Sequence, residues 1–467
     1  MASGSTKRLG KKLIVCCDGT WQNSDNGFEK DSKWWPGSTG RLQTPSNVTR
    51  IARAISRYHD DGRSQVVYYQ AGVGTGGLAV DQIMGGATGE GLSEHIREAY
   101  GFLANNYQEA DEKHQGDEIY LLGFSRGAFT ARSIGGFIGR VGILTKKGMS
   151  NFYNVFRDYE QSYSTDWERE YRESWKDRPF ESTIRITEPR YAQELEKVTP
   201  KTSILPQSAL GIPVTSWFEK IPGMSQVNKE YSFHDTSLSD IVDHGFHALA
   251  LDEKRYTFSP SVWENAGAKR DGVNKGIADI SLAWMMSQLK DMITFDHNYL
   301  EFQYGLTKDW EVANLQERKE RDWGLGSIKS AGGVMKLAST KTRTPGRYKK
   351  IDPDTRKEIG DLQDTNEYIH ASVRVRMGMR NAKGVNDSAP PYRCEALNGW
   401  KISGVDRDGD GVVDREGDEK IFWSNGNVRI PEAELGPYEK ELLSHFGNMA
   451  QNVMKIKPDG TFAPHTS

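Results

Sequence analysis

The chain of 467 residues is short of cysteine, of long apolar runs and of any excess of one charge, and each shortage removes a class of protein. Three cysteines, Cys16, Cys17 and Cys394, cannot build a disulfide framework. The adjacent pair sits inside an apolar run, so a reducing, cytoplasmic setting is expected. The run that follows Lys7, Arg8, Lys11 and Lys12 is only LIVCC, far too short for a signal segment or a membrane-spanning helix. Lysine and arginine total 61 against 64 aspartates and glutamates, a formal charge of −3, which leaves no basic footprint for nucleic acid. No internal repeat is visible, so solenoids and propellers are set aside.

What is present is an alternation. KKLIVCCDGTW reads as a buried strand ending in a turn at Asp18-Gly19. SNVTRIARAISRYH follows with helical spacing at Val48, Ile51, Ala52 and Ile55, capped by Ser46 or Asn47. QVVYYQ is a second strand and runs into the glycine-rich GVGTGG. EGLSEHIREAYGFLANNY is a second amphipathic helix, DEIYLLGFS a third strand, and RGAFTARSIGGFIGRVGIL the helix after it. Strand and helix in turn predict an α/β fold, a parallel sheet with helices on both faces. Residues 1–10 and 456–467 read as disordered ends. The α/β domain is expected over 11–305 with an insertion at about 146–205, and a less regular mixed region over 306–455 with an acidic hairpin at 400–424.

The insertion is polar and aromatic-rich, and reads either as a lid over an apolar acyl site or as a solvated surface helix. Two further helices are predicted, over TSLSDIVDHGFHALALDEKR and IADISLAWMMSQLKDM.

The chemistry concentrates at GFSRG. Gly123-Phe124-Ser125-Arg126-Gly127 fits the G-x-S-x-G pattern, and its strand-to-helix context is what a nucleophile elbow requires. The N–H of Arg126, at the helix start, is the expected oxyanion donor. In an open parallel sheet ligands bind outside the carboxyl ends of the strands. Asp18, Gly19 and Thr20, with Gly74 of the glycine loop, therefore border the same crevice as a ligand or oxyanion loop; the plainer reading has Asp18 bonding its own turn.

Two other clusters remain open. His244 and His247 are three apart and share one helical face if the segment is a helix. With Asp235, Asp240 and Asp243 they suit an acid/base pair, a metal site, or simply a packed helix with satisfied histidines. Asp406, Asp408, Asp410 and Asp414 match the start of a calcium loop, but Gly417 stands where the last, bidentate ligand belongs. The flanks WKISGV and EKIFW look like strands, which favours an acidic hairpin tip.

The series KKLIVCCDGTWQNS, TPSNVTRIARAI, YYQAGVGTGG, GLSEHIREAYGFLANNY, DEIYLLGFSRGAFTARSIGGFIGRVGIL, HDTSLSDIVDHGFHALALDEKR and IADISLAWMMSQL resembles the catalytic domain of type VI secretion phospholipase effectors, in its free-standing fungal version. The likeness covers roughly 11–300. It implies an α/β-hydrolase fold and a serine esterase or lipase acting on a small-molecule or lipid ester, with Ser125 as nucleophile and no cofactor.

Two family motifs are absent. The strand ending in Trp-Asp-Thr-Val, which carries the triad acid, is missing before LGIP (210–213), where KTSILPQSA stands instead. The Trp-Phe-Pro-Gly-x-His motif is replaced by AGAKRDGVNKG, and no histidine lies between His247 and His297. As substitutes for the base and acid the sequence offers only His244 or His247 with Asp235, Asp240 or Asp243. A catalytically inactive binding or regulatory protein is the alternative reading, and a calcium-binding interaction module a third.

Overall fold

A computed structural model describes residues 7–19, 28–29, 41–42, 45–72, 92–161, 190–191, 193–194, 201–202, 207–210, 241–253, 262, 278–303, 323, 341–351, 358–362, 365–378, 393–403 and 421–446. They fall in two compact units: Met1–Gly245 with Ser261–Lys269 and Lys349–Gly360, and Phe246–Pro260 with Arg270–Tyr348 and Asp361–Ser467.

The first unit is the predicted alternation. Strand β1 (Lys12–Cys17) is followed by helix α1 (Asn47–Ala54), β2 (Gln65–Gln70), α2 (Leu92–Asn106), β3 (Glu118–Gly123) and α3 (Arg126–Val141). Helix α4 (Phe152–Gln161) and strands β4 (Gln207–Leu210) and β5 (Val242–Phe246) come next. The sheet runs β2-β1-β3-β4-β5. β1 is parallel to both β2 and β3, and β3 is parallel to β4.

This order fixes where a ligand site belongs. The chain leaves β1 toward β2, then crosses back to β3 on the other side, so the direction of winding reverses between β1 and β3. Crossovers share one hand, so reversal puts the connecting helices on opposite faces. Neighbouring residues of β2 show it: the Tyr68 ring stacks on Phe102 of α2, 4.9 Å between centroids, while the Tyr69 hydroxyl lies 3.1 Å from the Thr49 hydroxyl of α1. A crevice opens at the carboxyl ends of two strands so separated.

Below the crevice the core is dense. Leu13, Val15 and Cys17 of β1 and Ile119 and Leu121 of β3 pack against Ile96, Ala99, Tyr100 and Leu103 of α2 and Ala131, Ile134, Phe137 and Ile138 of α3. Helix α4 closes the same core with Phe152, Val155, Phe156 and Tyr159. That stripe has helical spacing, so the first part of the expected lid is a core helix; its flanking Arg157, Asp158 and Glu160 disguise it in the sequence.

Three other expectations are corrected. Residues 7–10 are ordered: the Arg8 N–H donates to Lys113 O (2.7 Å) and the Gln115 N–H to Arg8 O (3.0 Å). The predicted helix through His244 and His247 is instead strand β5, with Val242 buried and Asp243 exposed; completing the sheet overrides the helical spacing. The place of the missing apolar strand is taken by QSAL, which pairs with β3 at Ile119↔Gln207, Tyr120↔Ser208 and Leu121↔Ala209.

The second unit holds α5 (Ala278–Leu289), placed by the sequence with the first part of the chain. It is apolar all round, with Ile280, Leu282, Ala283, Trp284, Met286 and Leu289 buried, as a core helix must be. Strands β6 (Ile369–His370), β7 (Lys401–Ser403), β8 (Phe422–Asn425) and β9 (Val428–Ala433) form a sheet in the order β6-β9-β8-β7 around Trp423, Ile430, Leu397 and Ile369. β7 and β8 pair antiparallel, Lys401↔Ser424. Strands therefore flank the acidic segment, as the sequence implies, where a helix–loop–helix calcium site needs helices.

Candidate active site

Ser125 follows β3 by two residues and opens α3, at φ 54° and ψ −122°. Among the described residues only Ser125 and Asn366 are non-glycines with positive φ. Such a conformation costs on the order of 1–3 kcal/mol and persists only where the surroundings impose it. Here they do. A Cβ on Gly123 would lie 2.4 Å from Gly127 O and 2.6 Å from Ala128 Cα, and one on Gly127 would lie 2.1 Å from Cys17 O and 2.4 Å from Asp18 O. Strand, turn and helix meet so closely that only glycine fits at either flank, and the serine between them takes the strain.

The serine hydroxyl makes no capping bond to α3, unlike most serines at this position. Its carbonyl instead accepts from Ala128 (3.1 Å) and Phe129 (3.3 Å). Ser125 is half-buried and Phe124 is 45% exposed. The Arg126 N–H belongs to the first helical turn, where no intrahelical carbonyl reaches it.

Across the crevice, β1 delivers Asp18. Its carboxylate is 3% exposed and takes four donors. Oδ1 accepts the Gly19 N–H at 2.7 Å, and Oδ2 accepts the hydroxyls of Ser46 (2.5 Å), Tyr69 (2.7 Å) and Thr49 (3.1 Å). Ser46 Oγ in turn accepts the Thr49 N–H at 3.0 Å and so caps α1. Asp18 thus bonds its own turn and ties α1 and β2 to the end of β1, as a buried carboxylate needs. The neighbouring thiols are no rival nucleophiles: burial, helped by the Asp18 charge, pushes Cys17 up to about 12, so it carries no thiolate at neutral pH.

The structure treats the other candidates unevenly. His244 is the middle residue of β5 and half-buried, Asp243 beside it is exposed, and His247 follows the strand at 1% exposure. His247 lies beyond the end of β5, so the helical face expected to join the two histidines does not form. Thr20, Gly74, Asp235, Asp240, Asp406, Asp408, Asp410 and Asp414 lie outside the described residues. Among the described residues no group of acidic, histidine and cysteine side chains is arranged to hold a metal ion, and no helix is long and apolar enough to cross a membrane.

A Ser-His-Glu chain does occur in the second unit. Ser372 Oγ lies 2.8 Å from His370 Nδ1 and Glu439 Oε1 2.5 Å from His370 Nε2. All three are buried, the histidine and the glutamate completely, and the Ser372 N–H also approaches Nδ1 at 3.2 Å. Without an exposed hydroxyl this is an internal clamp between β6 and the helix Pro437–Phe446.

One group at the crevice escapes the motif search. His95 lies in the first turn of α2 and is half-buried. Burial lowers its pKa below the ordinary histidine value; Glu98 and Glu94 oppose this and Arg126 adds to it. The signal was its position in GLSEHIREAY, just off the stripe Ile96, Ala99, Tyr100 and Leu103.

A strained serine thus stands at a strand-to-helix elbow beside the point where the winding of the parallel strands β1, β2 and β3 reverses. The family is given by comparison: the chain matches, over residues 11–285, the model of the catalytic domain of Tle1-like phospholipase effectors of the type VI secretion system, and belongs to that family. It is 28% identical over 262 residues to the uncharacterized Saccharomyces cerevisiae protein YEL023C, 53% of this chain and 32% of that one. The chain thus spans about a third of the length of the curated relative it matches. Among solved structures it is similar to the Tle1 effector bound to the VgrG spike of the type VI secretion system, at 14% identity over 58% of this chain and 51% of that chain, with a TM-score of 0.28, too low for the superposition to speak for the fold.

Proposed function

We propose that the chain is a serine hydrolase of ester bonds, of the phospholipase class, with Ser125 as its nucleophile on an α/β-hydrolase-like sheet. The observation that carries this is the backbone of Ser125, held at positive φ between two glycines that admit no side chain. Strain is kept where it serves a function, and this turn projects the hydroxyl away from the helix it would otherwise cap.

In the reaction Ser125 Oγ attacks the ester carbonyl carbon while a base takes its proton. The carbonyl oxygen becomes an oxyanion held by the Arg126 N–H at the start of α3. Collapse breaks the bond to the leaving alcohol, which receives the proton, and water then releases the acid by the same steps in reverse roles. Membership of the family supports a small-molecule or lipid ester as substrate.

A fluorophosphonate probe tests the reading. The full-length protein is expected to become labelled, and Ser125→Ala to lose the label while keeping its unfolding transition. Absence of Ser125-dependent labelling would sink the hydrolase reading and leave a binding or regulatory protein.

A further inference from the structure

Resting on that reading, we infer that His95 is the general base of Ser125. Position is the first support. The register sets Gln70, Cys17 and Gly123 level across β2, β1 and β3, and the Gln70 amide Nε2 donates to the His95 carbonyl at 3.0 Å. The first turn of α2 is therefore pinned at the carboxyl edge of the sheet. Two strand spacings separate β2 from β3, about 10 Å. The serine, two residues beyond Gly123, and the first turn of α2 therefore stand at the same edge of the sheet.

The surroundings of the ring are the second support. Its imidazole makes no hydrogen bond among the described residues and is half-buried rather than sealed. Arg126, the residue after the serine, is close enough for its charge to act on the ring from α3. On its own helix the charges of Glu98 and Glu94 act on it, and Glu98 is held by the same Gln70 amide at 3.1 Å. Burial and Arg126 keep the resting ring neutral, with a lone pair to accept the Ser125 proton. Glu98, one helical turn on, then stabilises the imidazolium that forms. One helix so supplies both the base and its negative partner.

The test uses the full-length protein with His95→Ala and His95→Gln, reading the rate of fluorophosphonate labelling at Ser125. Both variants are expected to label about 100-fold more slowly, with wild-type melting temperature, and added imidazole is expected to restore labelling in His95→Ala but not in Ser125→Ala. The wild-type rate should fall as pH drops below the ordinary histidine value. Normal labelling of either variant, alongside abolished labelling in Ser125→Ala, would overturn His95 and spare the hydrolase. Loss without imidazole rescue would also overturn it, marking His95 as structural. A wild-type protein that is not labelled at all would remove the hydrolase reading itself.

Discussion

At the amino ends of β1 and β3, Lys12 is 1% exposed yet fully answered. Its Nζ donates to Glu118 Oε2 at 2.9 Å and to the Tyr120 hydroxyl at 3.0 Å, and Arg63 bonds the other Glu118 oxygen. Beside it Asp117 accepts the Lys11 N–H at 2.6 Å and the Gln108 N–H at 2.9 Å, and pairs with Lys11 Nζ at 2.8 Å. At the carboxyl ends of the same strands Asp18 is equally buried and answered, but two residues beyond β3 the pattern breaks: Ser125 is strained, its hydroxyl caps nothing, and the His95 ring has no hydrogen bond among the described residues. The strands run parallel, so both edges draw on the same backbone. One edge spends its polar groups on stability, and the other withholds a few of them.

The comparison breaks most sharply at Gly127. A methyl group there would sit 2.1 Å from Cys17 O and 2.5 Å from Cys17 C, backbone atoms of the interior strand β1 that cannot step aside. Gly127→Ala is expected to lower stability by about 3 kcal/mol, read as a lower urea midpoint, and to abolish labelling at Ser125. A variant that keeps both its midpoint and its labelling would show that the glycine is incidental and the elbow not imposed.

The amino edge is tested by pH. Burial works against the Glu118 charge, but hydrogen bonds from Arg63, Tyr120 and Lys12 and the Lys12 charge outweigh it and hold the carboxyl at about 2, below its ordinary 4.5. A depressed acid contributes its stability in full above the ordinary value and loses it as pH falls through the folded one. The edge should therefore hold from neutral pH down to about 4.5 and weaken from there toward 2. Glu118→Gln is expected to cost on the order of 2 kcal/mol at pH 7 and to flatten the acid limb of the urea midpoint, with labelling at Ser125 unchanged. An acid limb as steep as that of the wild type would move the effect to other carboxylates.

How much of this the sequence shows depends on the range of the interaction. β1, β2, β3 and the helices between them follow from local periodicity and turns, and GFSRG from a motif whose two glycines answer to contacts with Cys17 and Ala128. β5 is misread because Val242, His244 and Phe246 carry no local sign of the neighbours that make them a strand. The stripe of α4 is present in the letters but masked by charged residues between its aromatics. His95 lies beyond motif reading altogether: its role comes from the level at which Gln70 pins α2, a tertiary fact.

The smallest expected effect is the most direct on strain. The backbone of Ser125 at φ 54°, ψ −122° suits glycine, and since its hydroxyl caps nothing, removing the side chain forfeits no helix bond. Relief of roughly 1–3 kcal/mol of strain is partly offset by the added freedom of glycine in the unfolded chain, about 0.5–1 kcal/mol. Ser125→Gly is therefore expected to be more stable than the wild type by about 1 kcal/mol, whereas Ser125→Ala, which keeps a Cβ, gains nothing. Paired thermal melts would show the first variant unfolding a few degrees higher and the second unchanged. Equal melting of all three would mean that the elbow holds no strain, and the contrast between the two edges of the sheet would then rest on His95 alone.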